Sequence, residues 1–321
     1  VRILIWHVHG SWTTSFVQGP HTYLLPTTED RGPDGLGRAR TWRWPPGAVE
    51  VDPGALRGER IDLVVLQRPH EEELLRRWTG LRCGRDVPAV YLEHNTPEGG
   101  VPHTRHPAAD RPDLTVVHVT HFNALMWDCG STRTHVIEHG IVDPGPRWTG
   151  ELPRAAVAVN DPLRRGRATG TDLLPGLAAT APTDVFGMRV AGIGPALGVP
   201  EERLTGHEDP PQHRLHRELP RRGVYVHTPR WTSLGLSLLE AMHLAMPVAV
   251  LAATEAPRAV PPGAGTLAAG PAELYAAARR YLDDPALARD AGLAAREAAL
   301  ARYGLKRFLD DWDGLLLEVS A

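Results

Sequence analysis

Apolar residues fall in short blocks along this chain. Val1–Val8, Ile61–Leu66, Val87–Leu92, Leu114–Val119 and His135–Ile137 are short apolar or β-branched runs, and they predict strands. Helical patterns follow several of them, as in Glu71–Trp78 and His121–Trp127. Apolar strands alternating with helices predict a mostly parallel sheet covered on both faces. The stretch Gly10–Val51 shows neither period and is rich in Gly, Pro and Trp, so it is expected to be an ordered loop region.

The pattern lapses at Asp143-Pro144-Gly145-Pro146-Arg147-Trp148-Thr149-Gly150, a linker by composition. A second alternating set follows: Ala155–Val159, Leu173–Leu177, Val185–Met188, Gly223–His227, Leu236–Ala245 and Val248–Leu251. Pro271–Leu282 and Pro285–Leu300 are Ala-rich helices with Asp and Arg outward, and Lys306–Leu317 carries a Trp and Leu stripe. No internal repeat is present. The expected architecture is α/β, with two doubly wound Rossmann-like domains facing across a cleft. The domains are expected at 1–147 and 148–303, with helix 304–321 packing back onto the first. Ligands in such sheets sit at the carboxyl ends of the strands, and a cleft between two of them suits a small molecule.

Composition narrows the function classes. The chain has 321 residues, 42% hydrophobic and 23% charged, as in ordinary globular proteins. Its net charge of −3 gives no electrostatic case for nucleic acid or an anionic membrane. The two cysteines, Cys83 and Cys129, form no disulfide framework and suit a reducing compartment. No stretch reaches the length of a transmembrane helix and no signal peptide pattern is seen, so a cytoplasmic location is expected.

The segment Arg230-Trp231-Thr232-Ser233-Leu234-Gly235-Leu236-Ser237-Leu238-Leu239-Glu240-Ala241-Met242 carries the clearest chemistry. Gly223–His227 predicts a strand, Thr228–Leu234 a loop, and Leu236–Ala245 a buried helix that Pro247 helps to end. Amides of Gly235, Leu236 and Ser237 at the positive end of that helix form an anion site. Gly235 lets a phosphate approach the backbone. Glu240, a turn further on, is placed to accept two hydrogen bonds from ribose hydroxyls. A buried helix with one satisfied Glu has the same spacing.

The run "LGLSLLEAMHLAMPVAV" resembles the nucleotide-sugar signature of the retaining family-4 GT-B glycosyltransferases, through Gly235, Glu240, Ala241, Met242, Pro247 and Val248. "VYLEHNTP" resembles that family's strand ending in a histidine, here His94. "THVIEHGIVDPG" resembles its turn before the linker, and "YGLKRFLDDWDGLL" its terminal helix. The resemblance implies a GT-B enzyme that moves a sugar, with retention, from a nucleoside diphosphate sugar to an acceptor. The nucleotide sugar is a co-substrate, and neither a resident cofactor nor a metal is implied. It also implies that His94 donates a hydrogen bond at the donor sugar or phosphate and that Glu240 holds the ribose. Gly10 then stands in the loop near the acceptor and diphosphate, with Ser11, Trp12 and Thr13 lining the acceptor pocket. A core role for Trp12 fits the sequence equally.

Two positions depart from the family. Thr232 stands where the family has a glutamate that contacts the transferred sugar. Thr232 and Ser233 can still bond sugar hydroxyls, less strongly than a carboxylate, which suits a deoxysugar donor or another contact geometry. Thr169 stands where a phosphate-binding Lys is found, and Arg164, Arg165 and Arg167 just upstream are expected to take its place. Two rival functions stay open. A sugar-nucleotide epimerase would act on the donor without an acceptor. A non-catalytic nucleotide-sugar or glycan-binding protein would bind nucleotide without turnover. Nothing basic and amphipathic near the N-terminus argues for a lipid acceptor, which favours a soluble one. The Asp311-Trp312-Asp313 triplet falls on the last helix and is expected to be a solvated face.

Overall fold

The computed structural model describes residues 1–320. The chain divides into two units. One is Val1–Val142 together with the helix that begins at Leu305; the other is Asp143–Gly304. The division falls at Val142 and Asp143 rather than at Arg147 and Trp148, because the intervening segment bonds to the second unit. Asp143 pairs with Arg296 at 2.7 Å, and the amides of Arg147 and Trp148 both donate to the Leu244 carbonyl.

The first unit contains seven parallel strands: β1 Arg2–Ile5, β2 Thr22–Pro26, β3 Ala48–Val51, β4 Leu63–Leu66, β5 Ala89–Glu93, β6 Thr115–His118 and β7 Arg133–Val136. Their order is β3-β2-β1-β4-β5-β6-β7. β1 pairs with β2 on one side and β4 on the other, with Ile3 opposite Tyr23 and Leu63, so the order reverses at β1. Every residue of β4, β5 and β6 is buried, which is why these strands read as largely apolar or β-branched runs.

The second unit repeats the scheme with β8 Leu152–Ala158, β9 Thr183–Gly187, β10 Leu204–Glu208, β11 Arg222–His227, β12 Val248–Leu251 and β13 Thr266–Ala268. All pairings are parallel and the order is β10-β9-β8-β11-β12-β13. This is the doubly wound order, reversing between β8 and β11. The core on one side of this sheet joins Val157, Val185, Val224 and Val226 to Leu174, Leu177, Leu274 and Ala278 of the covering helices.

The stretch expected to be a loop region, Gly10–Val51, holds a helix at Gly10–Phe16 as well as β2 and β3. The helix escapes a periodicity reading because five consecutive residues, Trp12 to Phe16, are buried, three of them hydroxyl-bearing. β3 lies at the sheet edge, with its two middle residues exposed.

The terminal helix Leu305–Ser320 belongs to the first unit. Its Phe308 and Trp312 enclose Trp12, with ring centroids 5.9 and 5.6 Å away, and Trp312 also meets Phe16 at 4.9 Å. The helix needs a glycine opposite it. A Cβ on Gly140 would lie 2.3 Å from that of Phe308. Trp312 is thus core, while its neighbours Asp311 and Asp313 pair with Arg307 and His21.

Candidate functional site

In the second unit, the loops after β8 and β11 leave the carboxyl edge at the point where strand order reverses, the usual ligand position in such sheets. They are tied to one another. The amides of Arg230 and Trp231 donate to the Ala168 carbonyl at 2.9 and 3.1 Å, and the Thr228 hydroxyl donates to the Thr169 carbonyl at 2.8 Å. Gly170 has φ +76°, and a Cβ there would sit 2.2 Å from the Thr228 carbonyl oxygen. Thr169 does not face outward as a substitute for Lys. It is buried, and its hydroxyl contacts the Gly166 carbonyl and Thr171.

After the second loop comes the helix Leu236–His243, with Gly235 as its extended N-cap (φ −69°, ψ 118°). The first bond of the turn runs from the Leu238 amide to the Gly235 carbonyl at 3.0 Å. The amides of Leu236 and Ser237 precede it and have no intrahelical acceptor by helix geometry, which gives this end its positive character. Gly235 is also required for packing. A Cβ there would lie 2.5 Å from Cε1 of His227, the last residue of β11. The Ser237 hydroxyl is committed to the fold, bonded to the Tyr225 hydroxyl at 2.9 Å and to the Ala158 carbonyl at 3.3 Å. That leaves the Ser237 amide as its group at the helix end. Thr232 is half-buried and Ser233 buried in the loop leading to Gly235.

Glu240, on the second turn, is 4% exposed. Its Oε1 accepts from Gln212 Nε2 at 3.0 Å, and its Oε2 lies 3.7 Å from His216 Nε2. Gln212 and His216 come from the helix Gln212–Glu218, one turn apart on one face. Sequence reasoning missed both. Their spacing of four was the available signal, but the segment is polar and the helix has no buried residue to mark it.

Arg164, Arg165 and Arg167 are all exposed. Asp161 pairs with Arg164 and, at 2.9 Å, with Arg189. Asp172 pairs with Arg167 at 2.8 Å and with Arg230 at 2.6 Å. Each carboxylate thus lies between two guanidinium groups, so each trio keeps one positive charge in excess. Arg189 and Arg230 join the candidates by this geometry.

In the first unit, His94 follows β5 and is half-buried. Its Nε2 lies 2.9 Å from Gln67 Oε1, and its ring centroid lies 4.1 Å from that of His9 and 5.4 Å from that of Trp12. Burial, reinforced by the neighbouring His9 and His139, holds its pKa well below the ordinary histidine value. Gly10 opens the helix Gly10–Phe16, beside half-buried Ser11. A Cβ on Gly10 would meet His7 and Trp42 only at ordinary contact distance, 3.6 Å, so packing does not demand glycine. Trp12 is corrected from the acceptor surface to the core: it is 1% exposed, between Phe16, Phe308 and Trp312. Among the described residues, no group of three or more His, Cys, Asp or Glu is arranged to hold a metal ion. His106 pairs with Glu93 at 3.0 Å in the interior. No helix is long and apolar enough to cross a membrane among those residues.

No protein-family model matches the chain, and no curated protein matches it in sequence. Solved structures match it in shape. Sucrose-phosphate synthase from Thermosynechococcus elongatus superposes with a TM-score of 0.73 at 15% identity, over 99% of this chain and 98% of that one. HepE from Anabaena, solved with UDP-glucose, gives 0.71 at 14% identity over 99% of each chain. A glycosyltransferase from Rickettsia africae gives 0.67 at 11% identity, over 99% of this chain and 98% of that one. These likenesses, together with the two parallel sheets, establish the fold as GT-B: two Rossmann-like α/β units in one chain.

Proposed function

We propose that this chain is a glycosyltransferase that moves a sugar from a nucleoside diphosphate sugar to a hydroxyl acceptor. The observation that carries this reading is the arrangement around Gly235. A helix N-terminus stands at the strand-order reversal, with a buried carboxylate, Glu240, on its second turn. The diphosphate lies against the amides of Leu236 and Ser237. The ribose hydroxyls donate to Glu240, which Gln212 and His216 hold in place. The two Arg–Asp–Arg groups, with Arg164, Arg167, Arg189 and Arg230, supply positive charge to the leaving diphosphate, and Arg165 adds to it. The complexes of HepE with UDP and with UDP-glucose support a nucleotide-sugar donor.

Thr232 and Ser233 bring only hydroxyls to the sugar side. The chemical step therefore draws on stabilisation of the departing diphosphate more than on a protein carboxylate, without a metal ion. Retention of configuration and a soluble acceptor complete the proposal. The test is release of nucleoside diphosphate from UDP-glucose and other nucleotide sugars, with and without a panel of sugar acceptors, the product anomer being read by NMR. Acceptor-dependent release with a retained anomer is expected. Conversion of the donor without acceptor would favour an epimerase, and tight binding without any turnover would favour a non-catalytic binding protein.

A further inference from the structure

We infer that Gln67 is a positioning residue that fixes the tautomer of His94: the ring carries its hydrogen on Nε2 and leaves Nδ1 as an acceptor. Hydrogen-bond senses fix each link in turn. The Trp6 carbonyl can only accept, and Gln67 Nε2 donates to it at 2.7 Å. The amide nitrogen of Gln67 is thereby turned toward Trp6, and its Oε1 is turned toward His94 Nε2, 2.9 Å away. An amide oxygen also only accepts, so the His94 Nε2 must bear the hydrogen. The pKa of His94, held low by burial, keeps the ring neutral near neutral pH and leaves Nδ1 unprotonated.

The fold supports this relay. Trp6, Gln67 and His94 each stand just beyond the carboxyl end of β1, β4 and β5, three adjacent strands. Gln67 is buried, so neither end of its amide is open to exchange partners with bulk water. An unprotonated ring nitrogen attracts a hydroxyl hydrogen and repels an anionic oxygen. In this tautomer the Nε2 hydrogen is spent on Gln67 and Nδ1 can only accept, whereas the resemblance implied a histidine that donates to the donor sugar or phosphate.

The experiment is NMR of protein carrying ¹⁵N-labelled imidazoles near neutral pH, with His94→Gln to assign the signals. In the ligand-free protein, His94 is expected to show a protonated Nε2 and an unprotonated Nδ1. Gln67→Leu, which removes the accepting oxygen, should lose that pattern to a mixture of tautomers. A hydrogen on Nδ1 in the wild type, or a Gln67→Leu spectrum identical to the wild type, overturns the inference. The wild-type spectrum decides even where a variant fails to fold.

Discussion

Gly235 shows how one residue serves the fold and the site together. Its φ of −69° is open to any L-residue, so the demand for glycine comes from the His227 ring alone. Gly235→Ala should therefore destabilise the protein by about 1–3 kcal/mol through overpacking. Gly235→Ala combined with His227→Ala should recover most of that loss, because the second change removes the clash. A double-mutant cycle by chemical denaturation measures the coupling, and strict additivity would refute the steric explanation. Individual site residues are only partly legible in the sequence. Gly235 and Glu240 stand out by spacing. Gln212, His216 and Gln67 do not, because their importance lies in partners distant in the chain. Trp12 is ambiguous, since exposure separates a stacking surface from a core residue and one sequence does not report exposure.

Among elements, the central strands are legible and the edges are not. β4, β5, β11 and β12 are buried throughout; β4 and β12 are apolar from end to end, and β5 and β11 have apolar centres. β10 and β13, at the two edges of the second sheet, are a mixed polar segment and a run of only three residues. The loop after β8 reads as basic, yet the buried side chains of Thr169 and Thr171 and the close approach at Gly170 decide its shape. Two glycines in this loop separate backbone strain from packing. Gly166 has φ +50° and nothing within 4 Å of the place a Cβ would take, whereas Gly170 combines φ +76° with the Thr228 carbonyl at 2.2 Å. With ψ −124° Gly166 lies outside the left-handed helical well, in a region open essentially to glycine, so Gly166→Ala should cost about 1–3 kcal/mol. Gly170→Ala should cost about 3 kcal/mol or more, strain and overpacking together. Equal losses in denaturant titrations would mean that the approach of Gly170 to the Thr228 carbonyl adds nothing to the backbone strain.

For the whole molecule, buried imidazoles predict how stability follows pH. Burial lowers the pKa of His118 in the first unit and of His227 in the second to about 4. The unfolded chain takes up a proton near 6.5, so between those values it binds more protons than the fold. Stability therefore rises with pH through this window and falls on acidification, by up to about 3 kcal/mol for each histidine at about pH 4. Thermal melting should be level between about pH 7 and about pH 8 and decline toward about pH 4, and His227→Gln should flatten the decline of the second unit. A melting temperature unchanged between those limits would contradict the buried neutral state.

The proposed function requires that the second unit bind a nucleoside diphosphate at the Leu236 helix end with its ribose on Glu240. A thermal-shift panel of UDP, GDP, ADP and dTDP at millimolar concentration, run on wild type and Glu240→Gln side by side, reads that binding without needing the acceptor. The substitution preserves side-chain shape and a hydrogen-bonding partner for Gln212, so the ligand-free proteins should melt alike. One of the four nucleotides should stabilise the wild type selectively by mass action, and Glu240→Gln should abolish most of that shift. If none of the four stabilises the wild type, or if Glu240→Gln responds equally, the nucleotide does not sit on this helix end and the glycosyltransferase reading falls with it.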